Sequence, residues 1–186
     1  IINLILNNQN INKNTSLSSA LPFALYFDNM EIFNLLLSID NIDINSTLLI
    51  KNNYHITEEE SSLIIALKNN NFEIVELLLS YPNIYVNSNF ENTWRDKETP
   101  LNFAIKNNNI QLVEFLLDHP NIDINSKSVL NGNKETPLFI AIKENNIQIV
   151  KLLLEKPEID VNLISEIDLF DKETPLYVAV KNNNIQ

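Results

Sequence analysis

The pentapeptide KETPL occurs three times, at residues 97–101, 134–138 and 172–176. The three copies begin 37 and 38 residues apart. A catalytic motif is normally needed once, whereas a motif that recurs at near-constant spacing indicates a repeated structural unit. The pentapeptide therefore predicts a repeat protein.

The aligned unit extends well beyond the pentapeptide. "TPLNFAIKNNNIQLVEFLLDHPNIDIN" from Thr99 and "TPLFIAIKENNIQIVKLLLEKPEIDVN" from Thr136 match without a gap, and related copies begin at Ser19, Ser61 and Thr174. Self-similarity at such a period is typical of a solenoid. We predict a single array over 1–186, with the tail of one repeat at 1–14, repeats at 15–57, 58–95, 96–132 and 133–170, and a truncated repeat at 171–186.

Each unit predicts two short helices joined by a tight turn. The hydroxyl of Thr99 stands where it can cap a helix, and Pro100 follows at the first helical position, where a missing N–H costs nothing. An aligned Asn or Asp ends this helix, since these residues tolerate the left-handed conformation, and the next Asn can cap a second helix. The residues predicted to have positive φ are Asp28, Asn70, Asn108, Asn145 and Asn183.

The second helix of each unit has an apolar stripe. In one copy the stripe is Ile110, Val113, Leu116 and Leu117, a spacing typical of an amphipathic helix. Two helices this short cannot bury their stripes alone, so we expect them to stack on the next copy. The equivalent residues are Phe72, Val75, Leu78 and Leu79, and Ile147, Val150, Leu153 and Leu154.

These features together resemble the ankyrin repeat. TPL, an alanine five residues after the cap, LVEFLL or IVKLLL, and IDVN follow the family pattern, while the family's His after Leu and its Gly-His break are replaced. The alternative of a tetratricopeptide-like array is disfavoured by the proline at the first helix and by the IDVN turn. The resemblance implies an all-α solenoid of stacked helix-turn-helix repeats with projecting β-hairpin or loop fingers, and a concave face that holds other proteins.

Composition limits the compartment and the partners. The 186-residue chain has a net charge of −11, which argues against nucleic-acid binding and mildly favours basic partner surfaces. It contains no cysteine, so disulfides and thiolate chemistry are excluded, and a reducing compartment is favoured. Its apolar runs are too short to insert into a membrane. We expect a cytoplasmic protein, with association with the cytoskeleton as an alternative.

Residues suited to catalysis or metal binding are few and scattered. His55 and His119 share no neighbour and are expected at the surface. The alternating oxygens of residues 40–45 resemble a calcium loop but lack its glycine turn and its acidic twelfth residue. Gly132 is the only glycine, which excludes a glycine-rich phosphate loop. The sequence therefore predicts no catalytic residue, no cofactor and no metal, and a protein that is not an enzyme.

The fingers between repeats differ from one another while the helices repeat. Variable apolar and aromatic residues on projecting loops are typical of a binding face, because aromatic anchors dominate interface energetics. For Val129 and Phe170 the alternative, folding back over the edge of the stack, is equally consistent with the sequence. The candidate partner-binding residues of the fingers are Phe90, Trp94, Arg95, Val129, Leu130, Ile167 and Phe170.

Two sets of charged residues recur at aligned positions. Stacking is expected to turn them into two charge ladders, for which the simpler interpretation is a solvated surface with weak ion pairs between repeats. Lys106 and Lys143 are kept as further candidate partner contacts. The two sets are Lys68, Lys106, Lys143 and Lys181, and Glu60, Glu98, Glu135 and Glu173.

The function that these patterns favour is a non-catalytic protein-interaction module or scaffold. It would bind a partner, whose identity the sequence does not reveal, through the concave face and the fingers. One alternative is a structural spacer within a larger assembly, such as a cytoskeletal array. Another is a regulatory ankyrin segment of a larger protein.

Overall fold

The computed structural model describes residues 19–51, 57–91, 96–167 and 171–182. The chain divides into two compact units, one ending at Ile84 and the other beginning at Tyr85. In both units the helices have seven to nine residues, and all except the last described one come in pairs joined by a three-residue turn. Helices this short are marginal on their own, so their stability comes from packing.

The first unit has two helix pairs separated by a β-hairpin. Strands β1 and β2 are antiparallel, with Thr47 opposite Ser61. Helix α1 packs against its own partner α2 and against α3 of the next pair. The elements are α1 (Ala20–Tyr26), α2 (Met30–Leu37), β1 (Thr47–Lys51), β2 (Thr57–Ser61), α3 (Ser62–Lys68) and α4 (Phe72–Leu79).

The second unit repeats the same plan and joins its hairpins. Its six strands form one antiparallel sheet in the order β3-β4-β5-β6-β7-β8. Helix α5 packs on α7, α7 on α9, and α6 on α8. Its elements are β3 (Phe90–Glu91), β4 (Lys97–Glu98), α5 (Pro100–Lys106), α6 (Ile110–Asp118), β5 (Ser128–Leu130), β6 (Asn133–Glu135), α7 (Pro137–Lys143), α8 (Ile147–Leu154), β7 (Ser165–Glu166), β8 (Lys172–Glu173) and α9 (Pro175–Lys181). The prediction of stacked helix pairs with hairpins is confirmed.

The predicted caps of the first helices are present in all but one of the described pairs. The Thr136 hydroxyl accepts the Phe139 N–H at 3.2 Å, and Pro137 occupies the first turn. Thr99, Thr174 and Ser61 cap their helices in the same way. The predicted cap by Ser19 is wrong. Its hydroxyl donates instead to the Thr47 carbonyl at 2.7 Å and links α1 to β1.

The turns between paired helices confirm the role given to asparagine. The φ angle is +53° at Asn108 and +55° at Asn145, and Asp28 and Asn70 have the same conformation. The N–H of Asn109 returns to the Ala104 carbonyl at 3.0 Å, which closes the first helix as a glycine turn usually does. The side chain of each following asparagine then caps the second helix. Asn183 lies outside the described residues.

The buried face of the second helices is broader than the predicted stripe. Val113, Leu116 and Leu117 are buried as expected, but Leu112 is buried too. In α8 the prediction is partly wrong, since Ile147 and Leu154 are 37% and 49% exposed. The physical reason is that α8 packs against α6 and α7, while no described second helix lies on its other side. Residues two positions after Ile147 and its equivalents are buried instead: Ile74, Leu112 and Ile149.

The asparagine that ends the aligned sequence of each repeat connects successive turns. Asn87 donates to the Asn121 carbonyl at 2.7 Å and accepts the Asp123 N–H at 2.8 Å. Asn125 makes the equivalent pair of bonds to the following turn. Because the side-chain NH2 donates and the side-chain carbonyl oxygen accepts, this residue fixes the spacing between neighbouring repeats of the second unit.

His119 differs from its predicted surface position. It is only 5% exposed, and its Nδ1 accepts the Asn121 N–H at 3.2 Å. The ring satisfies a backbone donor in the turn after α6, which explains its burial. His55 lies outside the described residues.

Candidate protein-interaction surface

The inward row of the hairpin sheet is buried in the second unit. Strand pairing places its six members opposite one another in successive pairs. Side chains alternate between the two faces of a strand, so all six lie on the same face, and none is more than 7% exposed. The inward row is Phe90, Glu98, Ser128, Glu135, Ser165 and Glu173.

Each buried glutamate pairs with a lysine of its own repeat. Lys143 Nζ lies 2.7 Å from Glu135 Oε1, and Lys181 Nζ lies at the same distance from Glu173 Oε1. Lys106 pairs with Glu98 in the same arrangement, as Lys68 does with Glu60 in the first unit. For these two ladders the expectation of ion pairs between repeats is therefore wrong, although Lys156 and Asp118 form such a pair elsewhere, with 3.0 Å between Nζ and Oδ1. The glutamate precedes a helix of seven residues, and the long lysine side chain at the end of that helix reaches back to it.

The buried serines bind the helix start of their own repeat. Ser128 Oγ accepts the Thr99 N–H at 3.0 Å and the Asn102 side-chain amide at 2.7 Å. Ser165 Oγ accepts the Thr136 N–H at 3.1 Å. Each serine thus ties the hairpin at the end of a repeat to the first helix of that repeat. Sequence reasoning missed this contact, because nothing local to SVL or SEI indicates which face of the strand the hydroxyl occupies.

The hairpin β5–β6 has the tightest turn in the described part of the second unit. Leu130 is opposite Asn133, which leaves Asn131 and Gly132 as a two-residue turn with φ angles of +52° and +84°. This is the conformation that an Asn-Gly pair favours between antiparallel strands. Asp96 accepts the Asn131 N–H at 2.6 Å and so holds the turn against β4.

The opposite face of the sheet carries an outward row of charged side chains. Neighbouring members are directly opposite across all six strands. Lys134 Nζ lies 2.9 Å from Glu166 Oε2, and Lys127 Nζ lies 3.8 Å from Glu166 Oε1. The hydrogen bond from Lys134, helped by the charges of Lys127 and Lys172, holds the pKa of Glu166 below its ordinary value. The outward row is Glu91, Lys97, Val129, Lys134, Glu166 and Lys172.

Two candidate anchors of the fingers are buried, which corrects the expectation that they project into solvent. Phe90 and Leu130 are each 6% exposed. The ring of Phe90 packs edge-on against Phe103, with 5.6 Å between ring centroids. The reason is the alternation of side chains along a strand, which places both residues on the inward face that packs toward the helices. A large aromatic contribution from Phe90 to a partner is therefore not expected.

The other candidates of the fingers have mixed positions. Val129 is half-buried in the outward row, and Ile167 is half-buried directly after β7. Trp94, Arg95 and Phe170 lie outside the described residues. Partner binding by these residues stays a prediction.

The structure brings three of the candidates together in one groove. Lys106, Lys143 and Leu130 line a small cleft of about 90 Å³ between the β5–β6 hairpin and helices α5 and α7. Glu135 of the glutamate ladder also lines it, together with residues that the sequence did not single out: Asn131, Asn133, Ile140 and Glu144. A wider open cleft of about 440 Å³ lies at the turns of the two helix pairs, where Asn108, Asn145 and Asn146 line it.

Neither a metal-binding cluster nor a membrane-spanning helix occurs among the described residues. They contain no cluster of three or more His, Cys, Asp or Glu side chains that could hold a metal ion. No helix within the described ranges is long and apolar enough to cross a bilayer.

Comparison with known proteins identifies the repeat. The sequence matches the family model described as ankyrin repeats (3 copies) over residues 46–128 and 126–186, which is more than half of the chain. The chain belongs to the ankyrin repeat family. The stacked helix-turn-helix repeats and antiparallel hairpins form an ankyrin-type solenoid.

The ankyrin fold is also found in a solved structure of low sequence identity. The crystal structure of EF0377, an ankyrin repeat protein, is similar with a TM-score of 0.60 and 22% identity, over 87% of this chain and 71% of that one. No curated protein matches the sequence significantly. Ankyrin repeats generally bind other proteins and are generally non-catalytic.

Proposed function

We propose that this ankyrin chain is a non-catalytic scaffold that holds a partner protein on the hairpin sheet and the adjoining groove of its second unit. The observation that carries the proposal is the pairing of neighbouring hairpins into one six-stranded sheet. Isolated two-stranded hairpins are marginal, whereas a continuous sheet tied to helix starts by buried serines is a rigid platform.

The dimensions of this platform suit a protein partner. Six strands about 4.8 Å apart give a row of outward side chains about 24 Å long. Typical stable interfaces bury about 800 Å² on each partner, so the partner would extend from this row over the groove and onto neighbouring surface. The groove adds Lys106 and Lys143, whose ammonium groups are held in place by buried carboxylates.

The cytoplasm is the proposed location, because a chain without cysteine suits a reducing compartment. The partner would be retained by contacts with the sheet and not by covalent chemistry, since ankyrin repeats are generally non-catalytic. Val129 is the apolar member of the outward row and is the natural centre of the contact.

The test is capture of a partner from native extract, followed by cross-linking and mass spectrometry. Val129→Glu should reduce recovery of a specific partner at least about tenfold, because a charged side chain would then occupy the contact centre. Phe115→Glu is the matched control, as Phe115 is a 40% exposed apolar residue on a second helix. Circular dichroism must show that both variants remain folded. Loss through Phe115→Glu alone would move the site to the second helices and favour the spacer alternative.

A further inference from the structure

The outward row of the sheet has the opposite charge balance to the whole chain. Together with the adjoining Lys127 and Asp171, it contains four lysines and three acidic residues. The whole chain has 13 Lys and Arg residues and 24 Asp and Glu residues. A basic strip on an acidic protein concentrates attraction for anions at one place, while the remaining surface repels them.

The spacing of the strip comes from the repeat. Lys97, Lys134 and Lys172 are each the first residue of KETPL, and they occupy equivalent positions in β4, β6 and β8. One strand separates each of these lysines from the next, so their backbones are about 10 Å apart. The pentapeptide therefore places a cation at regular intervals across the sheet.

The glutamates of KETPL do not neutralise these lysines. Glu98, Glu135 and Glu173 point to the inward face and are paired with lysines of the first helices. Adjacent residues of a strand point to opposite faces, which keeps the two charges of each pentapeptide apart.

The lysines at the two ends of the strip are the most available. Among the described residues, neither Lys97 nor Lys172 has a carboxylate within ion-pair distance, whereas Lys134 is engaged by Glu166. All three are exposed. The anionic neighbours are Glu91, opposite Lys97, and Glu166 and Asp171, which lie opposite Lys172 and before it. An incoming carboxylate can thus bind either end without breaking an ion pair among the described residues.

We propose that Lys97, Lys134 and Lys172 form a docking strip for an extended acidic segment of the partner protein. The proposal rests on the proposed function and names the chemistry of the contact. A polyproline II segment rises about 3.1 Å per residue with three residues per turn, so an acidic residue at every third position presents a carboxylate about every 9 Å on one side. This interval matches the lysine spacing. A nucleic acid is disfavoured because a net charge of −11 repels a continuous phosphate backbone.

The probe is a fluorescein-labelled peptide that repeats Glu-Pro-Pro four times, and its binding is measured by fluorescence anisotropy at low ionic strength. The double variant Lys97→Gln/Lys172→Gln should weaken binding by about fivefold or more, the loss expected for two exposed ion pairs. The control Lys151→Gln/Lys156→Gln removes the same charge from the end of α8 and the turn after it, and should leave the affinity within about twofold.

Three results would overturn the docking strip. The control variant could weaken binding as much as the strip variant, which would mean that only net charge matters. A peptide with Gln in place of Glu could bind equally well. A single-stranded oligonucleotide could bind more tightly than the peptide through the same lysines, which would assign the strip to nucleic acid.

The docking strip and the proposed function can fail separately. If the peptide does not bind but Val129→Glu still abolishes capture of the partner, the acidic segment is wrong and the scaffold function stands. If the peptide binds through Lys97 and Lys172 while capture is unchanged by Val129→Glu, the strip is supported and the proposed placement of the captured partner is wrong.

Discussion

Lys143 reaches back along its own helix to donate a hydrogen bond to Glu135, with 2.7 Å between Nζ and Oε1. The Glu135 side chain is only 2% exposed, whereas the lysine remains half in solvent. The pair therefore protects a buried carboxylate with a cation that a partner can still reach.

Removal of that lysine should be costly. Lys143→Ala leaves the Glu135 carboxylate without its ion pair, and we expect a loss of about 1–3 kcal/mol in the free energy of unfolding, measured in urea. Lys151→Ala, at an exposed site in α8, should stay within about 0.5 kcal/mol of the parent. Adding Glu135→Gln to Lys143→Ala should restore part of the loss, since no charge is then buried. Equal effects of the two lysine variants would contradict this account.

The packing of the repeats predicts that alanine substitution lowers the free energy of unfolding much more at Leu116 than at Leu154. Leu116 is fully buried in α6, so Leu116→Ala should cost about 2–5 kcal/mol by leaving a cavity. Leu154 in α8 is 49% exposed, and Leu154→Ala should cost less than about 1 kcal/mol. Chemical denaturation of both variants measures the difference. A similar loss at the two positions would mean that the buried face of the second helices is wrongly assigned.

The turn at Asn145 tests the reason for its asparagine. With φ at +55°, Asn145→Gly should be neutral or slightly stabilising, whereas Asn145→Val should cost about 1–3 kcal/mol because a β-branched side chain is strained there. This site is preferable to Asn108, whose side chain also accepts a hydrogen bond from Asn146. Gln148→Val, on exposed helical backbone, is the control, and thermal unfolding is the measurement. A valine tolerated equally at both sites would refute the explanation.

The ion pair in the outward row predicts a pH dependence. Because Lys134 lowers the pKa of Glu166 below 4.5, the pair contributes to stability above that pH, and the contribution is lost as the pH falls through the lowered value. Carboxyl NMR titration should show the pKa of Glu166 returning toward 4.5 in Lys134→Gln. The variant Lys151→Gln should leave it unchanged. An identical pKa in the parent and in Lys134→Gln would remove the assigned cause.

Contacts between near neighbours in the chain could be predicted without coordinates. The cap of Thr136 on Phe139 and the left-handed Asn145 depend on backbone only a few residues away, so the residue types suffice to determine them. The repeat length and the recurring motifs similarly identify the ankyrin-type fold, because each copy must bury the same face against the next.

Tertiary structure alone decided which finger residues face solvent. Strands of two or three residues are too short to show an alternating pattern, and a shift of one residue moves every side chain to the other face. Phe90 and Leu130 were therefore predicted to project and are buried, while Lys97 was overlooked and lies in the outward row. The pairing of β4 with β5 and of β6 with β7 involves residues about 30 positions apart, so no local sequence pattern predicts it. Only the stacking of repeats brings those strands together, and with them the lysines of KETPL.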